Sequence, residues 1–120
     1  MEIYDINGKK VGSIKQRSLF ILFNRYQGEI YNAQMDKVGT WDVMDIYDVR
    51  GNEIGSFNNV GDVFDSNGTE IGHGGIINSI HDSNGNKVGS HGWSLLNRMI
   101  YGGTMLDYAA AAAFLLLLRK

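Results

Sequence analysis

The sequence predicts a mainly β protein: repeated antiparallel β-hairpins of about 17 residues arranged around an axis, with a C-terminal hydrophobic helix. Three observations carry this. A ten-residue unit, first written Ile3-Tyr4-Asp5-Ile6-Asn7-Gly8-Lys9-Lys10-Val11-Gly12, returns in versions that start at Ile30, Ile46, Val63 and Ile80. The last four copies begin 16 to 17 residues apart, room for one hairpin and a return turn. After Gly92 the repeat stops, and the chain ends in Ala109 to Ala113 followed by Phe114-Leu115-Leu116-Leu117-Leu118.

Each element of the unit follows from strand and turn chemistry. Before the acidic or amide residue (Asp5, Asn32, Asp48, Asp65, Asp82) stand an aliphatic residue and then a ring: Ile3-Tyr4, Ile30-Tyr31, Ile46-Tyr47, Val63-Phe64 and Ile80-His81. Adjacent strand residues face opposite ways, so the aliphatic row lines one face and the rings the other, beside Glu2, Glu29, Asp45 and Asp62. The turn follows at Asn7-Gly8, Arg50-Gly51, Asn67-Gly68 and Asn84-Gly85, and in the Asn-Gly pairs both residues tolerate φ > 0. The aspartates Asp5, Asp48, Asp65 and Asp82 are expected to accept hydrogen bonds from turn amides, which accounts for them without a ligand. After the turn, each copy ends in a β-branched residue and glycine, with Gly12, Gly39, Gly55, Gly72 and Gly89 in step. Glycine at such a place marks a bulge, a bend or the close approach of another segment, so the strands are expected to curve around an axis. Sixteen glycines without a proline agree with tight hairpins.

Two stretches depart from the pattern. The second copy has Asn32 for the aspartate and Met35 for the turn glycine, which predicts a looser turn or one of another type and leaves the count open between four hairpins and five. The insert before it contains Leu19-Phe20-Ile21-Leu22-Phe23, flanked by Arg17 and Arg25, the pattern of a strand buried on both sides and covered by the C-terminal segment or a second subunit.

Residues 1–92 are the expected hairpin array, and 93–120 a helical segment packed on or within it, one domain overall. Gly102-Gly103 divides that segment. Trp93 to Tyr101 is amphipathic and expected to lie on the sheet; the second piece is apolar all round and must be hidden. Met99 to Leu118 also has the length of a membrane span, against which stand Asp107 and the alanines. Small alanines packing inside the repeat assembly, or against a second copy, are the expected arrangement, and a homo-oligomer would cover both apolar segments.

Composition excludes more than it suggests. Eleven basic against thirteen acidic residues give a net charge of −2, so no nucleic-acid partner is expected. Without cysteine there is neither a disulfide nor a thiolate metal site. The first repeat begins at Ile3 without a leader pattern before it, which points to the cytoplasm, with membrane association as the alternative. The three histidines invite a metal or hydrolase site, but His81 stands in the ring position of its copy, and His73 and His91 lack a zinc spacing. Asp65-Ser66-Asn67-Gly68 and its copy at Asp82 lack the downstream acid of a calcium loop. No catalytic, cofactor or metal residues are assigned. The candidate ligand face is Tyr4, Tyr31 and Tyr47 with Glu29 and Asp45, suited to a polar or glycan-like ligand.

The unit Ile/Val-Tyr/Phe-Asp-x-x-Gly-x-x-Ile/Val-Gly, followed by an alanine- and leucine-rich tail, resembles the bacterial 4-fold beta flower domain over the whole chain. The resemblance implies hairpin petals around a central axis, without an activity or catalytic residues to carry over. The hairpin motif alone is also similar to that of PRC-barrel domains. The expected role is a non-enzymatic structural or interaction module that self-associates.

Overall fold

The computed structural model describes residues 1–16, 27–74, 78–92 and 104–119. Ten antiparallel strands form five hairpins: β1 (Glu2–Asp5) with β2 (Lys10–Gln16), β3 (Gln27–Asn32) with β4 (Lys37–Asp42), β5 (Asp45–Asp48) with β6 (Glu53–Phe57), β7 (Asp62–Asp65) with β8 (Glu70–Gly74), and β9 (Ser79–Asp82) with β10 (Lys87–Gly92). Neighbours in the chain pair in order, and β1 pairs with β10, so the sheet closes into a barrel. Closure satisfies both edges that an open sheet would expose. The degenerate copy is a full stave, which makes the hairpin number five.

The turns are built as the aspartates suggest. Asp5 Oδ1 accepts the amides of Asn7 and Lys9, both at 2.9 Å, while the Gly8 amide donates to the Asp5 carbonyl at 3.0 Å. The set recurs at Asp48, Asp65 and Asp82. Only the glycines take positive φ, Gly8 at 81°, Gly51 at 87°, Gly68 at 82° and Gly85 at 83°; the residues before them do not. The reversal is therefore a turn followed by one left-handed residue, longer than a two-residue Asn-Gly loop in which both would be left-handed. Nor is the second turn different in kind. Asn32 Oδ1 accepts the amides of Gln34 at 3.0 Å and Asp36 at 2.9 Å, and Met35 takes the glycine's place with φ 68°. A side-chain oxygen suffices for this cap, charged or not.

The β-branched residue and the glycine after the turn have separate duties. Tyr4 pairs with Lys10 and Ile3 with Gly12, which leaves Val11 as the extra residue of a bulge. Val38, Ile54, Ile71 and Val88 are the same. The glycine lies beside it where a Cβ would first meet a carbonyl oxygen of the neighbouring strand and then the chain's own tail, so the reason for glycine is contact more than bending. A methyl built on Gly12 would lie 2.8 Å from Leu118 Cδ1, on Gly39 2.7 Å from Leu117 Cδ1, on Gly55 2.6 Å from Leu116 Cδ1, on Gly72 2.7 Å from Leu115 Cδ1, and on Gly89 2.9 Å from Phe114 Cζ. Five hairpins thus face five consecutive side chains.

That tail is a helix within the barrel, α1 (Thr104–Ala113), continuing as a π-helical turn at Phe114–Leu118. Ala109 to Ala113 are fully buried, packed in one core with Ile3, Ile30, Ile46, Val63 and Ile80 of the first strands and Ile14, Trp41 and Phe57 of the second. An apolar helix has no exposed side here because the wall surrounds it. Large residues on the wall meet methyls on the helix; where the helix carries leucines, the wall has glycines. Such alternation fills the narrow interior at normal density. The proposed membrane span is therefore packed against protein from Leu106 to Leu118, where each side chain is buried or half-buried, and among the described residues no helix is long and apolar enough to cross a membrane. The expected Leu19 to Phe23 strand, the Trp93 to Tyr101 helix and the Gly102-Gly103 break lie outside the described residues.

Candidate functional site

With the lumen occupied, the outer face, the two ends and a buried histidine–aspartate contact remain among the described residues. On the outer face each ring stands across from a residue of the neighbouring hairpin: Tyr31 from Ser13, Tyr47 from Thr40, Phe64 from Ser56, and Tyr4 from Ser90. The predicted ligand-face residues Tyr4, Tyr31 and Tyr47 are thus interleaved with small hydroxyl residues on a belt around the barrel. They do not converge on one pocket. Each of the first two is tied to an acid of its own strand: the Tyr4 hydroxyl donates to Glu2 at 2.5 Å and the Tyr31 hydroxyl to Glu29 at 2.6 Å. The hydrogen bond to Tyr4, helped by Lys10 at 3.3 Å, lowers the Glu2 pKa, and the same bond raises that of Tyr4. Desolvation, then Asp45, Glu53 and Asp42, raise the Tyr47 pKa. These shifts carry acid and phenol away from neutrality, the opposite of what proton transfer near pH 7 requires. Beside Tyr47, a recess of about 230 Å³ is bordered by Thr40, Trp41 and Asp42.

The fifth junction of the belt differs. His73 replaces the hydroxyl residue and His81 the ring, and the two imidazoles stack with centroids 5.0 Å apart and 13° between planes. His91 is elsewhere: it lies inside, 2 % exposed, with Nδ1 3.6 Å from Asp107 Oδ1 on the central helix. The histidines close in sequence are therefore divided by the barrel wall, His73 and His81 outside and His91 within. Among the described residues no group of three His, Asp or Glu side chains could hold a metal ion. The sequence shows the histidine substitution in the ring position; the stacking depends on cross-strand register, which a single repeat does not reveal.

The turn end carries two features that the repeat itself does not require. One is an arc of exposed apolar side chains on three consecutive hairpins, Ile6, Met35 and Val49, 57 %, 56 % and 65 % exposed. The corresponding turns of the fourth and fifth hairpins carry Ser66 and Gly68, Ser83 and Gly85. The other is a recess of about 600 Å³ where the helix emerges among hairpins one, two and five. The sequence reading missed the arc, whose signal was apolar residues inside otherwise polar turns; the recess left no such signal, because it exists only once the helix is threaded. Comparison with protein-family models, curated proteins and solved structures finds no match.

Proposed function

We propose that this chain is a non-catalytic interaction module, a five-petalled relative of the beta flower proteins that self-associates through the tips of its first three hairpins. The observation that carries this reading is Met35. A bulky residue at φ 68° costs roughly 1–2 kcal/mol where four sister turns have glycine, and its side chain is exposed, so neither turn nor core accounts for it. With Ile6 and Val49 it makes an apolar arc of the kind that marks a contact surface.

A second copy is the partner that suits the arc. Because the barrel is closed, none of the described strands leaves an edge for pairing, and association through them must run through side chains. The tips beside the arc carry both signs, Asp5, Lys9 and Lys10 by Ile6 and Asp48, Arg50 and Glu53 by Val49, so that in a two-fold pairing a cation of each copy can meet a carboxylate of its mate. A two-fold axis through Met35 brings hairpin one of each copy against hairpin three of its mate.

The test is light scattering on the wild type and on I6S/M35G/V49S, which gives the first three turns the residues of the last two. The expected outcome is a dimer that weakens with salt and a folded, monomeric triple variant. A monomeric wild type at high protein concentration, or a triple variant that dimerises unchanged, overturns the reading.

A further inference from the structure

We infer that the recess at the turn end is a binding site for a single-chain amphiphile with an anionic head. Its floor is apolar, made by the bulge residues Val11 and Val38 and by Leu117 and Leu118 of the π-helical turn. Its rim is cationic: Lys9, Lys10, Lys87 and Arg119 line it against a single carboxylate, Asp5. At about 600 Å³ it has the size of a small-ligand cavity.

The charges are not consumed by the fold. Asp5 Oδ1 already accepts two turn amides, and Lys10 leans toward Glu2 on the outer face at 3.3 Å. Lys9, Lys87 and Arg119 make no ion pair with a described residue; Arg119 contributes only a lesser part of the lowered Asp82 pKa, whose largest cause is the Asn86 amide. The end of the helix carries about half a negative charge, which one cation balances. With Lys10 turned to Glu2 and Asp5 opposing one more charge, Lys9, Lys87 and Arg119 still leave a net positive charge directed at the mouth. An alkyl chain on the valine and leucine floor, with its head among the lysines, satisfies both halves of the site, whereas a neutral lipid or a small inorganic anion satisfies one.

Calorimetric titrations with nonanoate and octyl phosphate, each below its micelle concentration, test this against octyl glucoside, which has the same alkyl chain, and inorganic phosphate. Both anionic amphiphiles should bind, the preferred head distinguishing carboxylate from phosphate. Octyl glucoside should bind about tenfold more weakly, the gap expected of a charge pair at an open site, and phosphate should give no measurable heat. K9Q/K87Q should lose about tenfold in affinity for the anionic probes, while K15Q, outside the recess, should lose nothing. Equal binding of octyl glucoside, binding of phosphate alone, an unaffected double variant, or no binding of either anionic probe each overturns the inference. It does not rest on self-association: a monomer that binds nonanoate sustains this site and refutes the dimer.

Discussion

The ring of strand glycines makes a quantitative prediction at Gly55. A methyl there would lie 2.4 Å from the Phe64 carbonyl oxygen on the neighbouring strand and 2.6 Å from Leu116 Cδ1 on the central helix. The leucine can rotate, but the carbonyl is held by the barrel ladder, so Gly55→Ala should cost at the upper end of overpacking, about 3 kcal/mol. For a chain of this length that lowers Tm by about 12 °C. Gly51→Ala in the adjoining turn is the control. Its φ is +87°, yet nothing lies within 4 Å of the added methyl, so the cost is only that of left-handed backbone, about 1 kcal/mol or about 4 °C. Both substitutions restrict the unfolded chain equally, so that part cancels, and the steric term at Gly55 is the difference between them plus the left-handed cost at Gly51. Urea midpoints and calorimetric Tm of the two variants measure it. Adding Leu116→Ala to Gly55→Ala should recover part of the loss, since it removes one obstacle of two. Coincident midpoints for Gly55→Ala and Gly51→Ala would refute the packing argument.

Four further outcomes are expected. Met35→Gly should raise stability by about 1 kcal/mol, read as a higher urea midpoint, because it removes a left-handed bulky residue. Val43→Asn should act in the same direction for the same reason, Val43 being exposed at φ 58°. Phe114→Ala empties a buried site at the start of the π-helical turn and should cost about 3–5 kcal/mol in the same assay. Stability should also fall in acid. The amides of Asn52 and Asn86, as the largest causes, hold the Asp48 and Asp82 carboxyls below their ordinary value of 3.8, so their contribution is complete above that pH and is lost as pH falls through the depressed values. Asp48→Asn with Asp82→Asn should flatten that part of the pH profile, as the Asn32 turn shows that an amide can make the same contacts.

How far the sequence disclosed this molecule depends on the range of each signal. Turn chemistry is local, so Asp5-Ile6-Asn7-Gly8 announces its hairpin unaided, and the in-step glycines announce a common constraint. The chain does not say what the glycines approach, because Gly12 and Leu118 are at opposite ends of it. The same limit hid the recess, which joins Lys9, Lys87 and Arg119 across three separate segments. Met35 looked like a defect because a glycine position was judged by backbone preference alone. In the fold it retains the turn, and its side chain becomes the unexplained part. The tyrosine face was legible as an outward row, but whether an outward row converges is a question of curvature, and on a closed barrel it diverges.

The match between five hairpins and the tail explains why the helix changes form where it does. Five staves divide the circle into steps of about 72°, whereas an α-helix turns about 100° per residue and would carry consecutive leucines past the glycines. Phe114–Leu118 is π-helical, with the Arg119 amide donating to the Phe114 carbonyl at 2.7 Å, and this wider turn sets one side chain on each hairpin, from the fifth at Phe114 to the first at Leu118. Register, not hydrophobicity alone, is therefore what the end of the chain must preserve. Deleting Leu116 keeps the composition nearly intact but moves Leu117, Leu118 and Arg119 back one step, so that Arg119 comes to the place of Leu118, which is 8 % exposed. Leu116→Ala loses more of one side chain's contacts and leaves the register alone. Placing a guanidinium in that position costs at least about 2 kcal/mol beyond the truncation. The deletion should show the lower urea midpoint and faster amide exchange through Ala109 to Ala113. If it proves no worse than Leu116→Ala, consecutive residues are not assigned one to a hairpin, and the five-fold account of the π-helical turn fails.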